Sequence, residues 1–235
     1  MSIAKSYELE LLDQEIIPFE DILLNMHELN TINTILGGHA ITIKGFKQLL
    51  ADRKKITVCE IGCGGGDNLL AILRYCQKNQ IEVQLIGVDI KKECISVAQQ
   101  HRLLAENAIF LCTDYLMVDF DVQPDIIFSS LFCHHFNNEQ LKVQLNWMQK
   151  NAKLGFFIND LHRHWLAHVS IKILTGIFSK SYLVKHDAPL SVLRGFLKKE
   201  WKMIFASAGL SSVQISWQWA FRHLIIYHQS QPPNE

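Results

Sequence analysis

Ten residues, Val58-Cys59-Glu60-Ile61-Gly62-Cys63-Gly64-Gly65-Gly66-Asp67, constrain this chain more than any others. The β-branched Ile56 and Thr57 run into the stretch and Asn68-Leu69-Leu70-Ala71-Ile72-Leu73 runs out of it, so it reads as strand, glycine turn, helix. Glycines at such a corner let the backbone take positive φ and let a ligand lie directly against the main chain. The helix behind them offers unpaired N–H groups and the positive end of its dipole. A dinucleotide-binding turn would read G-x-G-x-x-G. Gly62 and Gly64 open that pattern, but its third glycine falls on Asp67. The spacing is instead E-x-G-x-G-x-G, with the Glu60 carboxylate at the strand end. A carboxylate there repels a pyrophosphate and suits a cationic amino-acid ligand.

Strands and helices alternate around this corner. Short apolar runs predict strands over 56–61, 83–90, 109–113, 125–130 and 156–159, with helices over 68–79, 91–106 and 137–150 between them. That is the pattern of a parallel sheet covered on both faces. Beyond Leu161 the reading is a helix over 163–179, a loop to Leu190, and a helical stretch from Ser191 that ends at Ala208-Gly209 with glycine as C-cap. Two short antiparallel strands, 213–219 and 224–227, close the chain. Upstream, residues 7–31 have helical spacing broken by Pro18, Asn33 to His39 is a turn, and 41–50 is helical again. Residues 1–50 therefore read as a helical arm or lid before a core domain over 51–235, with Gly37-Gly38 as a hinge or a close backbone approach.

Composition narrows the function. At 235 residues and 27.0 kDa the chain suits one large domain with an added lid, and 49% hydrophobic residues exclude wholesale disorder. Its 23 basic and 23 acidic residues balance, which argues against a nucleic-acid partner. Six cysteines form no CxxC pair and read as buried thiols in a reducing cytosol. The N-terminus MSIAKSYELELLDQE lacks the apolar core of a signal peptide, and the run from Trp165 to Phe178 is too short to span a bilayer. The expectation is a soluble cytoplasmic protein with no membrane span and a frayed tail, QSQPPNE.

The E-x-G-x-G-x-G corner, followed by Asp89 at the end of the second strand, resembles class I S-adenosylmethionine-dependent methyltransferases. The resemblance implies a doubly wound, mostly parallel seven-stranded α/β sheet in the order 3-2-1-4-5-7-6, and S-adenosylmethionine as cofactor. Ligands in such sheets bind beyond the carboxyl ends of the strands. Gly62, Cys63, Gly64 and Gly66 then form the cradle, and Glu60 binds or orients the ligand's ammonium. Asp89, with Ile90 beside it, accepts the ribose hydroxyls through charge-assisted bonds of about 1.5–3 kcal/mol each; capping the next helix is its alternative role. Asp114 resembles the family's acid beside the adenine amino group, with Tyr115 or Leu116 against the ring; a turn aspartate is the alternative. Asp67 is read as an N-cap. The backbone of Ser130 or Leu131 lines the methionine part. No Asn/Asp-Pro-Pro-aromatic motif is present after the fourth strand, which removes the DNA amino-methylating subclass.

Directly after the fourth strand runs Ser129-Ser130-Leu131-Phe132-Cys133-His134-His135-Phe136. His134 best matches the histidine that plant-type O-methylating enzymes use as base, and His135 is its neighbouring candidate. His162, in Asn159-Asp160-Leu161-His162-Arg163-His164, faces the same crevice as a third catalytic candidate. The histidines lack H-x3-H and H-E-x-x-H spacing, so no metal site is read. More narrowly, NDLHRHWL, the run Lys185 to Val192, Gly195-Phe196 and Ala208-Gly209-Leu210 resemble bacterial methyltransferases encoded beside type III polyketide synthases. That implies transfer to a small, largely apolar acceptor, a phenolic or enolic oxygen of a polyketide-like or quinone-like metabolite. A non-catalytic S-adenosylmethionine-binding regulatory subunit and C- or N-methylation are the alternatives; Asp67 speaks against a nicotinamide oxidoreductase. Zero net charge and apolar helices permit a homodimer.

Overall fold

Apolar β-branched runs and amphipathic helices alternate through the middle of the chain, and in the computed structural model, which describes residues 3–14 and 16–229, they build one seven-stranded sheet. The strands are β1 (Lys55–Ile61), β2 (Glu82–Asp89), β3 (Ala108–Cys112), β4 (Ile126–Ser130), β5 (Gly155–Leu161), β6 (Val213–Gln218) and β7 (Arg222–His228). Their order is 3-2-1-4-5-7-6, as expected, with β1 to β5 parallel and β7 antiparallel to both β5 and β6. The helices are α1 (Phe19–Ile35), α2 (Gly38–Leu50), α3 (Asp67–Lys78), α4 (Lys92–Gln100), α5 (Arg102–Asn107), α6 (Asn138–Asn151), α7 (Trp165–Phe178), α8 (Tyr182–Arg194) and α9 (Lys198–Ser207).

Strand alternation splits the core in two. Val58, Phe128, Phe157 and Leu224 point to one face, where Phe46 and Leu49 of α2 and Leu69 and Ile72 of α3 cover them. Cys59, Ile61, Ile127, Phe156, Ile158 and Ile225 point to the other, under Leu141 and Leu145 of α6 and Trp201 and Phe205 of α9. The second half of the N-terminal arm therefore belongs to the core, while α1 rides over the carboxyl edge of the sheet, with Ile22 and Met26 packed on Cys94 of α4.

Four expectations need correction. Residues 7–17 are not helical apart from a 3-10 turn at Leu11–Asp13; α1 starts after Pro18 and runs on to Ile35, with Glu20 and Asp21 favouring its N-terminal dipole. The turn before α2 shrinks to Leu36-Gly37, where Gly37 takes φ 76°. Gly38 is the close approach: a Cβ there would lie 1.7 Å from Asn33 Oδ1. The helix predicted over 91–106 breaks at His101, which is extended, and the break turns Leu104 back beneath Gly66. The loop expected up to Leu190 is helix α8, with Pro189 inside it. Ser181 Oγ caps α8 by accepting from the Val184 N–H at 3.3 Å, and Leu183, Val184, Leu190 and Val192 are buried, so packing overrides the proline. Gly209 ends α9 at φ 75° as expected. Past Gln229 the tail lies outside the described residues. Among the described residues no helix is long and apolar enough to cross a membrane. All six cysteines are free thiols, with Cys112 alone exposed.

Candidate active site

The carboxyl edge of the sheet gathers most of the predicted residues. Gly62, Gly64 and Gly66 take φ values of 65°, 51° and 78°, the region that glycine enters without penalty. The turn is tied to β2: the Cys63 N–H donates to the Val88 carbonyl at 3.0 Å and the Gly64 N–H to Asp89 Oδ2 at 2.9 Å. Asp89 Oδ1 accepts from the Lys91 N–H at 2.9 Å, just ahead of α4. Asp89 thus braces the turn and the next helix, with further acceptor lone pairs on each oxygen. Burial raises its pKa. Ile90 beside it is exposed. Asp67 is the first residue of α3 and does not cap it; Gly66 holds the N-cap position, with no side-chain bond.

Glu60 is sealed beneath the turn. Its Oε1 accepts from Asn68 Nδ2 at 3.0 Å, while Oε2 has no partner among the described residues. Burial, then the carboxylates of Asp67 and Asp89, push its pKa well above the usual range, against the Asn68 bond. A cation beside Oε2 would restore the charge, so the site fits the ammonium expected there. Two side chains roof the cradle. Phe132 lies where a Cβ on Gly62 would sit 2.2 Å from its ring, and Met26 Sδ is 3.6 Å from the corresponding point on Gly64.

Asp114 caps a 3-10 turn, accepting from the Leu116 N–H at 3.0 Å. Tyr115 is buried edge-on against Phe132, Phe136 and Trp147, and Leu116 is exposed. Ser130 Oγ accepts from Asn159 Nδ2 at 3.3 Å. Leu131 takes φ 53° and its N–H donates to the Asn159 carbonyl at 2.9 Å, a kink that directs the following residues over the edge.

His134 is enclosed between two carboxylates. Its Nδ1 lies 2.9 Å from Asp160 Oδ1 and its Nε2 3.4 Å from Glu10 Oε1, with 3% of the side chain exposed. Burial alone would lower its pKa, but Asp160 and Glu10 override that and raise it to about 9. At neutral pH the ring is an imidazolium that donates from both nitrogens. His135, half-buried, stands 3.3 Å from Asp13 and 3.8 Å from Glu10. The ligand-type atoms of Glu10, His134 and His135 lie within 4.8 Å of one another. His162 is held apart from this group in its ring contacts, packing on His164, Phe221 and His223; burial, His164 and Arg163 lower its pKa, so it is neutral.

Glu10 escaped the sequence reading because it lies in an acidic run, ELELLDQE, with no motif around it. It reaches the site because α8 straps the N-terminal segment down: the Leu11 and Leu12 N–H groups donate to Asp187 Oδ1 and Oδ2 at 2.8 and 2.9 Å. Ser191 Oγ donates to Glu10 Oε1 at 2.7 Å, and Arg194 donates to the His134 and His135 carbonyls at 3.0 and 2.9 Å. Its only sequence signal was the buried pattern of α8, masked by Pro189.

Residues 58–155, β1 to the start of β5, match the family model described as Methyltransferase domain. Over that segment the chain is similar to methyltransferase domains. Such domains are enzymes, and S-adenosylmethionine is the methyl donor of their class. The chain is also 24% identical over 192 residues to carboxy-S-adenosyl-L-methionine synthase of Helicobacter pylori, covering 73% of this chain and 74% of that protein. In fold it is similar to human N-acetylserotonin methyltransferase, solved with S-adenosylmethionine: TM-score 0.64 and 15% identity, over 91% of this chain and 57% of that one. The chain thus spans little more than half of that human protein. It also superposes on the plantazolicin methyltransferase BpumL, solved with S-adenosylhomocysteine: TM-score 0.65 and 15% identity, over 90% of this chain and 96% of that one.

Proposed function

We propose that this chain transfers the methyl group of S-adenosylmethionine to a small, largely apolar acceptor, at a phenolic or enolic oxygen of a polyketide-like or quinone-like metabolite. The observation that carries the reading is Glu60: a sealed carboxylate with one oxygen unpartnered among the described residues, beneath three positive-φ glycines. A pyrophosphate has no use for that acid; an amino-acid nucleoside has. The sulfonium supplies an electrophilic methyl carbon. The protein's task is to align the acceptor oxygen with it, and positioning contributes roughly 7–11 kcal/mol.

In this reading Gly62, Cys63, Gly64 and Gly66 form the cradle, Glu60 takes the ammonium and Asp89, beside Ile90, takes the ribose. Asp114 and Tyr115 flank the adenine, and Ser130 and Leu131 line the methionine part. His134 is the base, oriented through Nδ1 by Asp160 in the way a carboxylate fixes a catalytic imidazole. Glu10 occupies the Nε2 side, so His134 becomes a base only when the N-terminal segment yields that side to the acceptor hydroxyl. His135 is the half-buried neighbour through which the acceptor reaches it, and His162 shapes the far wall. Trp165, Ile173, Ile177 and Phe178 are exposed along α7, which supports a homodimer through that face.

The test is calorimetry with S-adenosylmethionine, S-adenosylhomocysteine and NAD, followed by methyl transfer to a panel of phenols. The two adenosyl compounds should bind and NAD should not; tight NAD binding alone would end the reading. His134→Ala should lower turnover by about 10²–10⁴-fold with S-adenosylhomocysteine affinity nearly unchanged. Intact turnover in that variant would remove His134 as base.

A further inference from the structure

Four neighbouring strands end in polar side chains on one face of the sheet. Glu60 on β1, Ser130 on β4, Asn159 on β5 and Arg222 on β7 share the parity of Val58, Phe128, Phe157 and Leu224, the residues that pack beneath α2 and α3. Helix α2 roofs this row, with Asn68 of α3 beside it. Asn159 Nδ2 donates to the Gly38 carbonyl at 3.1 Å and to Thr42 Oγ1 at 3.2 Å, and Thr42 Oγ1 donates to Asn68 Oδ1 at 3.0 Å. The middle of the row is amide and hydroxyl. An acid closes one end and a guanidinium the other.

The guanidinium is the unexplained part. Arg222 is 3% exposed, and its side chain makes one hydrogen bond among the described residues, from Nη2 to Asn33 Oδ1 at 2.9 Å. Nη1 is sealed against Gly38 with no partner among those residues. Asp160 makes no hydrogen bond to it, and its charge only partly offsets the burial of the guanidinium. That carboxylate points to the opposite face, where it accepts from the Cys133 N–H at 2.7 Å, the Leu161 N–H at 2.7 Å and His134 Nδ1 at 2.9 Å. His39, the titratable group on the roof, is kept neutral by burial and by Arg222 itself. Desolvation lowers the pKa of Arg222 from 12.5 to about 10. Buried charges persist in proteins when something of opposite sign meets them.

We propose that Arg222, held at Nη2 by Asn33 of α1, receives through Nη1 a carboxylate on the acceptor, so that the substrate class is an acidic one. This rests on the methyl-transfer reading and narrows it. The cofactor's own carboxylate is the rival source of the anion. Its ammonium belongs at Glu60, and β4 and β5 lie between Glu60 and Arg222 at about 4.8 Å per strand. The two charges of an α-amino acid share a single carbon and do not stretch across that gap. A planar guanidinium fork also suits a carboxylate better than any uncharged group.

Titrating the full chain with benzoate and 4-hydroxybenzoate, and with benzamide and phenol as uncharged mates, tests this in the presence and absence of S-adenosylhomocysteine. The carboxylates should bind at least about 30-fold more tightly than their mates, the worth of one charge-assisted pair. Asn33→Asp places a carboxylate on the guanidinium itself. It should abolish benzoate binding, raise the melting temperature and leave S-adenosylhomocysteine affinity unchanged. Absence of discrimination between charged and uncharged probes overturns the proposal, as does an Asn33→Asp protein that is less stable and still binds benzoate. If that variant loses S-adenosylhomocysteine instead, the anion is the cofactor's and the proposal fails. Loss of S-adenosylhomocysteine binding by the wild-type protein, with carboxylate discrimination intact, would sink the methyl-transfer reading alone.

Discussion

In the proposed reaction, Glu10 and His134 are the residues on which the proton transfer turns. With Glu10 at Nε2, His134 holds its proton up to about pH 9, so it is a poor base at neutral pH. Glu10→Gln removes one of the two carboxylates, and the imidazole pKa should fall back toward 6.5. The ionisation in the pH profile of kcat/KM, which reports the free enzyme, should then move to lower pH by one unit or more, raising kcat/KM at pH 7. A profile unmoved by Glu10→Gln would disconnect His134 from the rate. Gly62 gives a second test. At φ 65° any Cβ is strained and would strike the Phe132 ring, so Gly62→Ala should cost about 1–3 kcal/mol of stability and weaken S-adenosylhomocysteine binding, read by chemical denaturation and calorimetry. Unchanged stability would mean that Phe132 swings aside freely.

Strands and helices show how much could be read from the chain beforehand. The sheet and its flanking helices were legible because apolar runs of four to eight residues and period-3.6 helices each bury against a neighbour in the same stretch of chain. Glu60, Asp89 and Ser130 were legible for the same reason, since a strand end fixes where its last side chain goes. Glu10, Asn33 and Arg222 were not. Each meets its partner across more than a hundred residues, Glu10 to Ser191 and Asn33 to Arg222, and no local pattern encodes such a contact. Helix α8 was hidden by Asp187-Ala188-Pro189, which has turn chemistry, yet Asp187 earns its place by holding the N-terminal segment. Asp187→Ala leaves the Leu11 and Leu12 N–H groups without their acceptor. It should destabilise the protein by about 1–3 kcal/mol, speed proteolytic cleavage within residues 3–14 and lower the pKa of His134 as Glu10 loosens. Equal cleavage rates in variant and wild type would show that the segment is held by other contacts.

Across the whole molecule, buried ionisable groups such as Glu60, His134, Asp160 and Arg222 gather where the strands end, and this gives the fold a pH signature. The His134 pKa is raised from 6.5 to about 9, so its contribution to stability is fully present below 6.5 and is lost as pH rises through about 9. Asp160 and Glu10 are lowered from 3.8 and 4.5, mainly by His134 and against the cost of burial. Their contributions are present above those values and fade as pH falls through the folded ones. Glu60 and Asp89 run the opposite way: burial raises both, so their desolvation weighs against the fold above the unfolded carboxylate range. The net curve mixes these signs, and a difference between two proteins isolates one of them. The stability gap between wild type and His134→Gln should be about 2–3 kcal/mol near pH 6 and should shrink steadily toward pH 9.5, as measured by urea unfolding at each pH. A gap that is flat across that range would mean that the ring between Asp160 and Glu10 is neutral. S-adenosylhomocysteine should add a separate pH dependence, because an ammonium beside Glu60 relieves the one buried acid left half-satisfied among the described residues. Ligand stabilisation should therefore grow as pH rises above the ordinary carboxylate range in wild type and lose that dependence in Glu60→Gln; identical pH dependence in the two proteins would place the ammonium elsewhere.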